Sequence, residues 1–307
     1  MLTHLNHFIP LNEVDPKIHR RGRPLKLKAI KVKTGYWRPG TDWVREVVDA
    51  VEDVIQDGDI VTVSEKAIST ALGLMIDESK VEPGRIAKFL ASFWMRRIWG
   101  GPLGKITKLR GHTLERLRKY PLSEGSAHKQ VALKYAGILQ SLRHYSEGGI
   151  DASNLPYSYV SLPLKEPQRF AKKLKEAFDI GGWRVEVLIV DGDTSYSWGN
   201  LHLAPRSVPV KGLTHLGGFL TFVIGRMLGF KSRSTPISFI GGAINPDWCL
   251  TLANVAHRVR GYGAGRTVWD MAETLGVGLS EVSWGMLDLV DHFPIVILRK
   301  LHRRAPG

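Results

Sequence analysis

The chain has 307 residues, 43% of them hydrophobic and 9% aromatic, which is enough apolar material for one large packed domain or two ordinary ones. Lys and Arg outnumber Asp and Glu by 43 to 29, a formal net charge of +14, and such a surface favours polyanionic partners. No apolar run approaches the roughly 20 residues of a membrane span, so a cytoplasmic protein is expected, and the lone Cys249 excludes an internal disulfide and reads as a small buried residue.

In chain order, residues 1–27 read as a basic N-terminal extension, with Lys and Arg crowded and no acid between Lys17 and Lys33. LKAIKVK then alternates as a strand does, and the turn TGYWRPGTDW follows. Trp43 to Ile55 repeats apolar residues at helical spacing and stops at Asp57-Gly58-Asp59, a strong turn signal. IVTVSEKAI, Ile60 to Ile68, reads as a buried strand. Gly84 to Trp99 suggests an apolar helix ending in a glycine-rich break, inside a second basic region from Arg96 to Lys119. Val131 to Tyr145 fits a strand pair or one helix, and periodicity does not decide between them.

GGIDASNLP, Gly148 to Pro156, sets the Asp151 carboxylate and the Asn154 carboxamide three residues apart in a turn that two glycines leave free to bend. Two readings stay open. The side chains can close the turn on their own backbone, or Asp151 can offer a hard oxygen to a divalent cation while Asn154 orients a phosphate or a base. RFAKKLKEAFDIGG reads as a helix that puts Phe170, Leu174 and Phe178 opposite its basic residues and ends on Gly181. VEVLIVDGDTSYSW, Val185 to Trp198, is an apolar strand running into Asp191, Gly192, Asp193 and Thr194; acids at the end of a buried strand suit a metal, and a hairpin turn is the plain alternative. Arg206 and Lys211, in a proline-stiffened loop, are either solvated cations or contacts for an anionic substrate. GYGAGR, Gly261 to Arg266, precedes an apolar helix and is either a phosphate cradle or an ordinary connection. FPIVILRKL closes the chain as a strand. The histidines are scattered, and no zinc site is expected.

Three ordered segments, DGDIVTVSEKAISTALG (Asp57 to Gly73), GGIDASNLP with the LPLKEP that follows it, and VEVLIVDGDTSYSW, resemble the coenzyme F420-0:L-glutamate ligase family. The resemblance implies an α+β fold of mixed sheets covered by helices, in two interlocked subdomains, over residues 28–307. It implies a homodimeric enzyme that uses GTP and Mg²⁺ or Mn²⁺ to join L-glutamate to the carboxylate of F420-0, or a similar substrate, through an acyl phosphate. Carried over by motif, Asp151 and Asp191 are metal ligands, Asp193 or Thr194 completes a second metal site, and Asn154 contacts the nucleotide; Ser69 of the Ser/Lys-rich turn is a further expected nucleotide contact, and Lys66 stands in for the nucleotide-contacting lysine that this turn lacks. The family's Asp-Thr pair is contiguous where this chain reads Asp-Gly-Asp-Thr, and its Ser-Lys-Ala-Glu-Gly turn stands here as Ser69-Thr70-Ala71-Leu72-Gly73. Those departures keep two alternatives in view: a protein that binds nucleotide or F420-like molecules without joining them, and a basic protein that binds nucleic acid.

Overall fold

The computed structural model describes residues 4–9, 19–20, 23–24, 26–243 and 245–301. Most of the basic extension expected over 1–27 lies outside the described residues. Its described strands are β1 (His4–Ile9), β2 (His19–Arg20) and β3 (Arg23–Pro24). The chain continues through β4 (Lys26–Thr34), α1 (Trp43–Val51), β5 (Ile60–Ser64), α2 (Glu65–Ala71) and β6 (Met75–Asp77). A helical stretch follows: α3 (Arg85–Phe89) continued by wide turns over Leu90–Trp99, then α4 (Pro102–Ile106), α5 (Gly111–Arg118), α6 (Ser123–Tyr135) and α7 (Ile138–Ser141). After it come β7 (Tyr159–Ser161), α8 (Pro167–Ile180), β8 (Glu186–Trp198), β9 (Leu201–Ala204), β10 (Thr214–His215) and α9 (Gly218–Met227). The last elements are β11 (Lys231–Ile240), α10 (Pro246–Arg260), α11 (Val268–Leu275), α12 (Trp284–Asp288) and β12 (His292–Leu301).

The fold is α+β, built on an eight-stranded mixed sheet in which β1, β4, β12, β5 and β8 are successive neighbours. Strict alternation along these strands feeds two cores. Ile30, Val32, Val61, Val63, Val187, Ile189, Ile295 and Ile297 pack with α1, α2 and α8 on one face. Leu27, Ala29, Ile60, Leu188, Val190, Val296 and Leu298 pack with α10 on the other. Cys249 is fully buried in this second core, as its isolation in the sequence implied, and burial pushes its thiol up to about 12.

β8 positions the site. Residues 186–190 pair in parallel with β5, and residues 196–198 pair antiparallel with β9. β11 runs along much of the same strand, so it must occupy the opposite edge from both. On the β5 side, residues 191–195 therefore have no partner strand. The ladder to β11 breaks at the same place: Ser234 lies opposite Thr194 but Thr235 lies opposite Asp191, which leaves Gly192 and Asp193 as a bulge. The expectation that Asp191 ends a strand, or sits in a hairpin turn, is corrected. The strand runs on to Trp198 because β11 and β9 continue to satisfy its backbone beyond the bulge.

Two other expectations change. The strand read through Ile60 to Ile68 stops at Ser64, and a helix begins at Glu65 because Ala67, Ile68 and Ala71 fall on the face that packs into the first core. The open segment Val131 to Tyr145 is helical, broken at Gly137, whose φ of +87° ends α6. In Leu90–Trp99 the backbone follows i→i+5 geometry, which brings Trp94 and Trp99 onto one side. On a regular α-helix residues five apart diverge by about 140°. Both indole N–H groups donate to the Leu142 carbonyl, at 2.8 and 2.7 Å, and hold the chain just before the site loop.

The Asp57-Gly58-Asp59 turn is present as read, and it is fixed from the far end of the chain. Arg299 on β12 donates Nε and Nη2 to the two carboxylate oxygens of the buried Asp59, at 2.8 and 2.7 Å. Removing the carboxylate strands the guanidinium, so Asp59→Ala should cost about 3 kcal/mol in chemical denaturation. An unchanged unfolding midpoint would show the pair to be dispensable.

Candidate active site

A cleft of about 1710 Å³ opens above the β8 bulge, larger than the roughly 300–1,000 Å³ typical of a single small-molecule site and roomy enough for two ligands together. Six of the seven expected site residues line it: Lys66, Asp151, Asn154, Asp191, Asp193 and Thr194. Ser69 does not. It is buried on the core side of α2 and its hydroxyl has no partner, because the strand-to-helix change at Ser64 turns it away from the cleft.

Lys66 leaves the first turn of α2 and reaches the turn that carries Asp151. Its ammonium donates to Asp151 Oδ2, Ser153 O and Ser153 Oγ, each at 2.8 Å, so all three of its hydrogens are engaged. Asp151 Oδ1 accepts from the Ser153 amide at 2.8 Å. The depth of the cleft works against a charge on Asp151, yet Lys66 and the Ser153 hydrogen bonds hold its carboxyl below the usual carboxylate range.

Asn154 is committed elsewhere. Its Nδ2 donates to the carbonyls of Tyr262 and Gly265, at 3.1 and 2.9 Å, and its Oδ1 accepts from the Ala264 amide at 2.7 Å. The expected nucleotide contact is therefore a clamp on the glycine-rich loop, Gly261 to Arg266. Gly263 fits because it has no side chain: its φ is +58°, and a Cβ would sit 2.5 Å from Asn154 Oδ1. The clamp also consumes one amide of the possible phosphate cradle, and Gly265 N donates to Tyr262 O at 3.1 Å. Ser146, Asn154 and Tyr157, none of them glycine, take φ near +60°, +53° and +54° in one loop. Such strain persists only where surrounding bonds over-determine it; here Tyr36 donates its hydroxyl to Asn154 O, and Tyr157 N donates to Val282 O at 2.7 Å.

At the bulge, Asp191 Oδ1 accepts from the Asp193 amide at 3.3 Å, while Asp191 Oδ2 and Asp193 Oδ2 are buried without a hydrogen-bond partner. Burial and the neighbouring Asp191 charge push the Asp193 carboxyl up to about 8. Thr235 fixes the bulge by donating Oγ1 to Asp193 O at 2.7 Å. Arg206 is not the exposed loop cation expected from the sequence. Its side chain is largely buried, ion-paired with Glu65, and its Nη2 lies 3.6 Å from Asp191 Oδ2. No local pattern announces this pair, whose members are 141 positions apart.

Sequence reasoning also missed a charged bracket under the loop. His128 Nδ1 lies 2.8 Å from Glu78 and Nε2 3.3 Å from Glu147, and Lys129 Nζ lies 2.6 Å from Glu147 Oε1. Burial opposes the imidazolium, but the two carboxylates outweigh it and raise His128 to about 10. α10 contributes the facing wall: Arg260, which feels both Asp191 and Asp151, and His257, which burial and Arg260 lower to about 3 and so keep neutral.

Two measurements follow from this geometry. In metal-free protein, a folded-state pKa above the ordinary 3.8 means that the native state holds a proton the unfolded chain releases. Asp193 therefore erodes stability as pH rises from its ordinary value towards about 8. Asp193→Asn should accordingly gain several degrees of Tm on the parent at about pH 8.5 and little at about pH 5; parallel Tm curves would refute the shift. Asn154→Ala removes three hydrogen bonds worth about 1 kcal/mol each, so amide exchange at Ala264 should quicken by about tenfold or more. Unchanged exchange would mean that the loop holds itself.

Comparison with known proteins agrees with the motif order. A family model described as F420-0:Gamma-glutamyl ligase matches residues 31–219. An uncharacterized protein of Methanocaldococcus jannaschii is 29% identical over 287 residues, 89% of this chain and 96% of its own length. The coenzyme F420:L-glutamate ligase of Methanopyrus kandleri is 26% identical over 158 residues, 50% of this chain and 54% of its own. The matched region holds Lys66, Asp151 and the β8 carboxylates and spans more than half the sequence, and the chain belongs to the F420-0:gamma-glutamyl ligase family.

Proposed function

We propose that this chain is an amide ligase that joins L-glutamate to the carboxylate of F420-0, or of a similar acceptor, using GTP and Mg²⁺ or Mn²⁺. The observation that carries the reading is the meeting, in one cleft, of two buried carboxylate oxygens without hydrogen-bond partners, a fixed lysine ammonium and an arginine on the facing wall. Membership of the family and the name of the Methanopyrus kandleri relative support the same reaction class.

In this reading the acceptor carboxylate attacks the terminal phosphorus of GTP, giving an acyl phosphate and GDP. The glutamate amine then attacks the acyl carbon, phosphate leaves, and the amine loses a proton to form the amide. The orphaned oxygens of Asp191 and Asp193 suit a hard divalent cation, whose contribution when bound is to neutralise the triphosphate. Arg260 supplies fixed positive charge against which phosphate oxygens settle, while Lys66, its hydrogens spent on Asp151 and Ser153, holds the Asp151 turn in place. Lys88, Arg110, Arg258 and Arg266 also line the cleft and suit an anionic acceptor. Neutral His257 leaves the region above Gly192 free of a further charge. No described helix is long and apolar enough to cross a membrane. A cytoplasmic homodimer is the setting we propose.

The test is phosphate release from GTP by the purified chain with Mg²⁺ or Mn²⁺, with F420-0 and L-glutamate omitted in turn. Release should require both, and Asp191→Asn should lower it by at least about 10- to 100-fold. Release that ignores glutamate, or that survives in Asp191→Asn, would overturn the assignment. Nucleotide bound without turnover would mark a binding protein instead.

A further inference from the structure

We propose that Tyr157 and Tyr262 form a stacking platform for the planar heterocycle of the acceptor, and that Asn154 holds the two tyrosines in place for it. The inference rests on the acceptor proposed above and concerns how its ring is recognised.

Both tyrosines line the cleft, with 49% and 37% of their surface exposed. Neither joins a hydrophobic cluster of the described residues. The Tyr157 ring lies 6.1 Å from that of Tyr159 and steeply tilted to it, at 70°. Burial therefore does not account for an aromatic residue at either position. Tyr157 is also strained: its φ of +54° is one that a bulky side chain rarely adopts and that glycine takes freely. The bond from its amide to Val282 O, at 2.7 Å, fixes that conformation from a distant segment. A strained backbone that presents a large exposed ring to a cleft points to a use for the ring.

Tyr262 is presented just as firmly. Its carbonyl accepts from Asn154 Nδ2 and from the Gly265 amide, both at 3.1 Å. His257 packs against the ring in a T-shaped contact at 5.4 Å, and the Arg266 guanidinium lies over it, 4.0 Å from the ring centre. Arg266 has no carboxylate partner among the described residues, so its planar cation favours an electron-rich or anionic ring beside the tyrosine. Asn154 shares its loop with Tyr157 and is bonded to Tyr262 O, so one side chain ties both segments together.

Two rings could reach this platform, the acceptor's and the base of the nucleotide. A base chosen by hydrogen bonds needs free polar groups beside the stack, and both ends of the Asn154 carboxamide are already spent on the glycine-rich loop. A ring gripped by its faces needs none. The occupant is therefore the acceptor's ring. Tyr262 lies outside the family match, which ends at residue 219, so the platform is not made by the motif residues alone.

The experiment titrates the full chain with F420-0, a fluorescent deazaflavin, in the absence of nucleotide and reads the quenching of its emission; GDP with Mg²⁺ is titrated separately by calorimetry. The parent should quench F420-0. Tyr262→Leu and Tyr157→Gly should each weaken F420-0 binding by at least about fivefold and leave GDP affinity unchanged, whereas Tyr262→Phe and Tyr157→Phe, which keep the ring faces, should stay within about twofold of the parent. Tyr157→Gly should not lower the thermal midpoint, because glycine relieves the backbone, so weaker binding in that variant reports the lost ring and not lost structure. Absence of quenching on the parent, F420-0 affinity unmoved in both Tyr262→Leu and Tyr157→Gly, or a loss confined to GDP, which would put the nucleotide base on the platform, would each overturn the inference. The reaction is judged separately. F420-0 bound through the tyrosines but not joined to glutamate sinks the proposed ligation alone, and ligation with an unchanged KM for F420-0 in both variants sinks this inference alone.

Discussion

Two carboxylates two positions apart on a buried strand repel each other, and β8 forces Asp191 and Asp193 into that position, where burial and the Asp191 charge outweigh the nearby Arg143 and Arg206 and push the Asp193 carboxyl up. The cause is backbone, not side chain. β11 holds one edge of the strand and β5 and β9 hold two ends of the other, so the residues between have a rigid frame and an open edge.

That arrangement is selective. Glu65 neutralises Arg206, which leaves the guanidinium close to Asp191 but only partly available to it. Lys66 neutralises Asp151. His128 and Lys129 balance Glu78 and Glu147 beneath the loop. Three of the four acid groupings are thus closed within the protein, at a desolvation cost that only close hydrogen-bonded geometry offsets. The bulge carboxylates feel Arg143, Arg206 and Arg260, yet each keeps one buried oxygen without a hydrogen bond. A site meant only for stability would close all four, because an unsatisfied buried oxygen costs more than a satisfied pair returns.

Much of the frame was legible in the sequence because its signals are periodic and local. β4 and β12 alternate, α1 and α8 repeat at helical spacing, and Asp57-Gly58-Asp59 marks its turn. The site residues were legible as positions, since all but Ser69 line the cleft. Their roles were not. Whether Asn154 faces a ligand or a loop depends on Tyr262 to Gly265, more than a hundred positions away, and the partner of Lys66 is 85 positions away. Glu65 reads as the continuation of a strand until Arg206 is known to lie over it. Strand continuation through Asp-Gly-Asp-Thr was hidden for a related reason: a turn-forming tetrad is also what a bulge requires, and only the pairing with β11 distinguishes them.

The family match ends at residue 219, yet the fold cannot be cut there. β12 lies between β4 and β5, at the centre of the sheet, and Arg299 on it fixes the turn that starts β5. β11 is the partner that creates the bulge, and α10 supplies the wall that carries His257 and Arg260. The segment beyond the match therefore shapes the site without containing its motif residues. Lys66, Asp151, Asp191 and Asp193 set the polar floor, whereas the opposite wall is drawn from α10 and the clamped glycine-rich loop. A floor of fixed charges constrains reaction chemistry, and a wall of different origin constrains the shape of what reaches it. Selectivity for the acceptor is consequently to be sought in α10 and the loop that Asn154 holds.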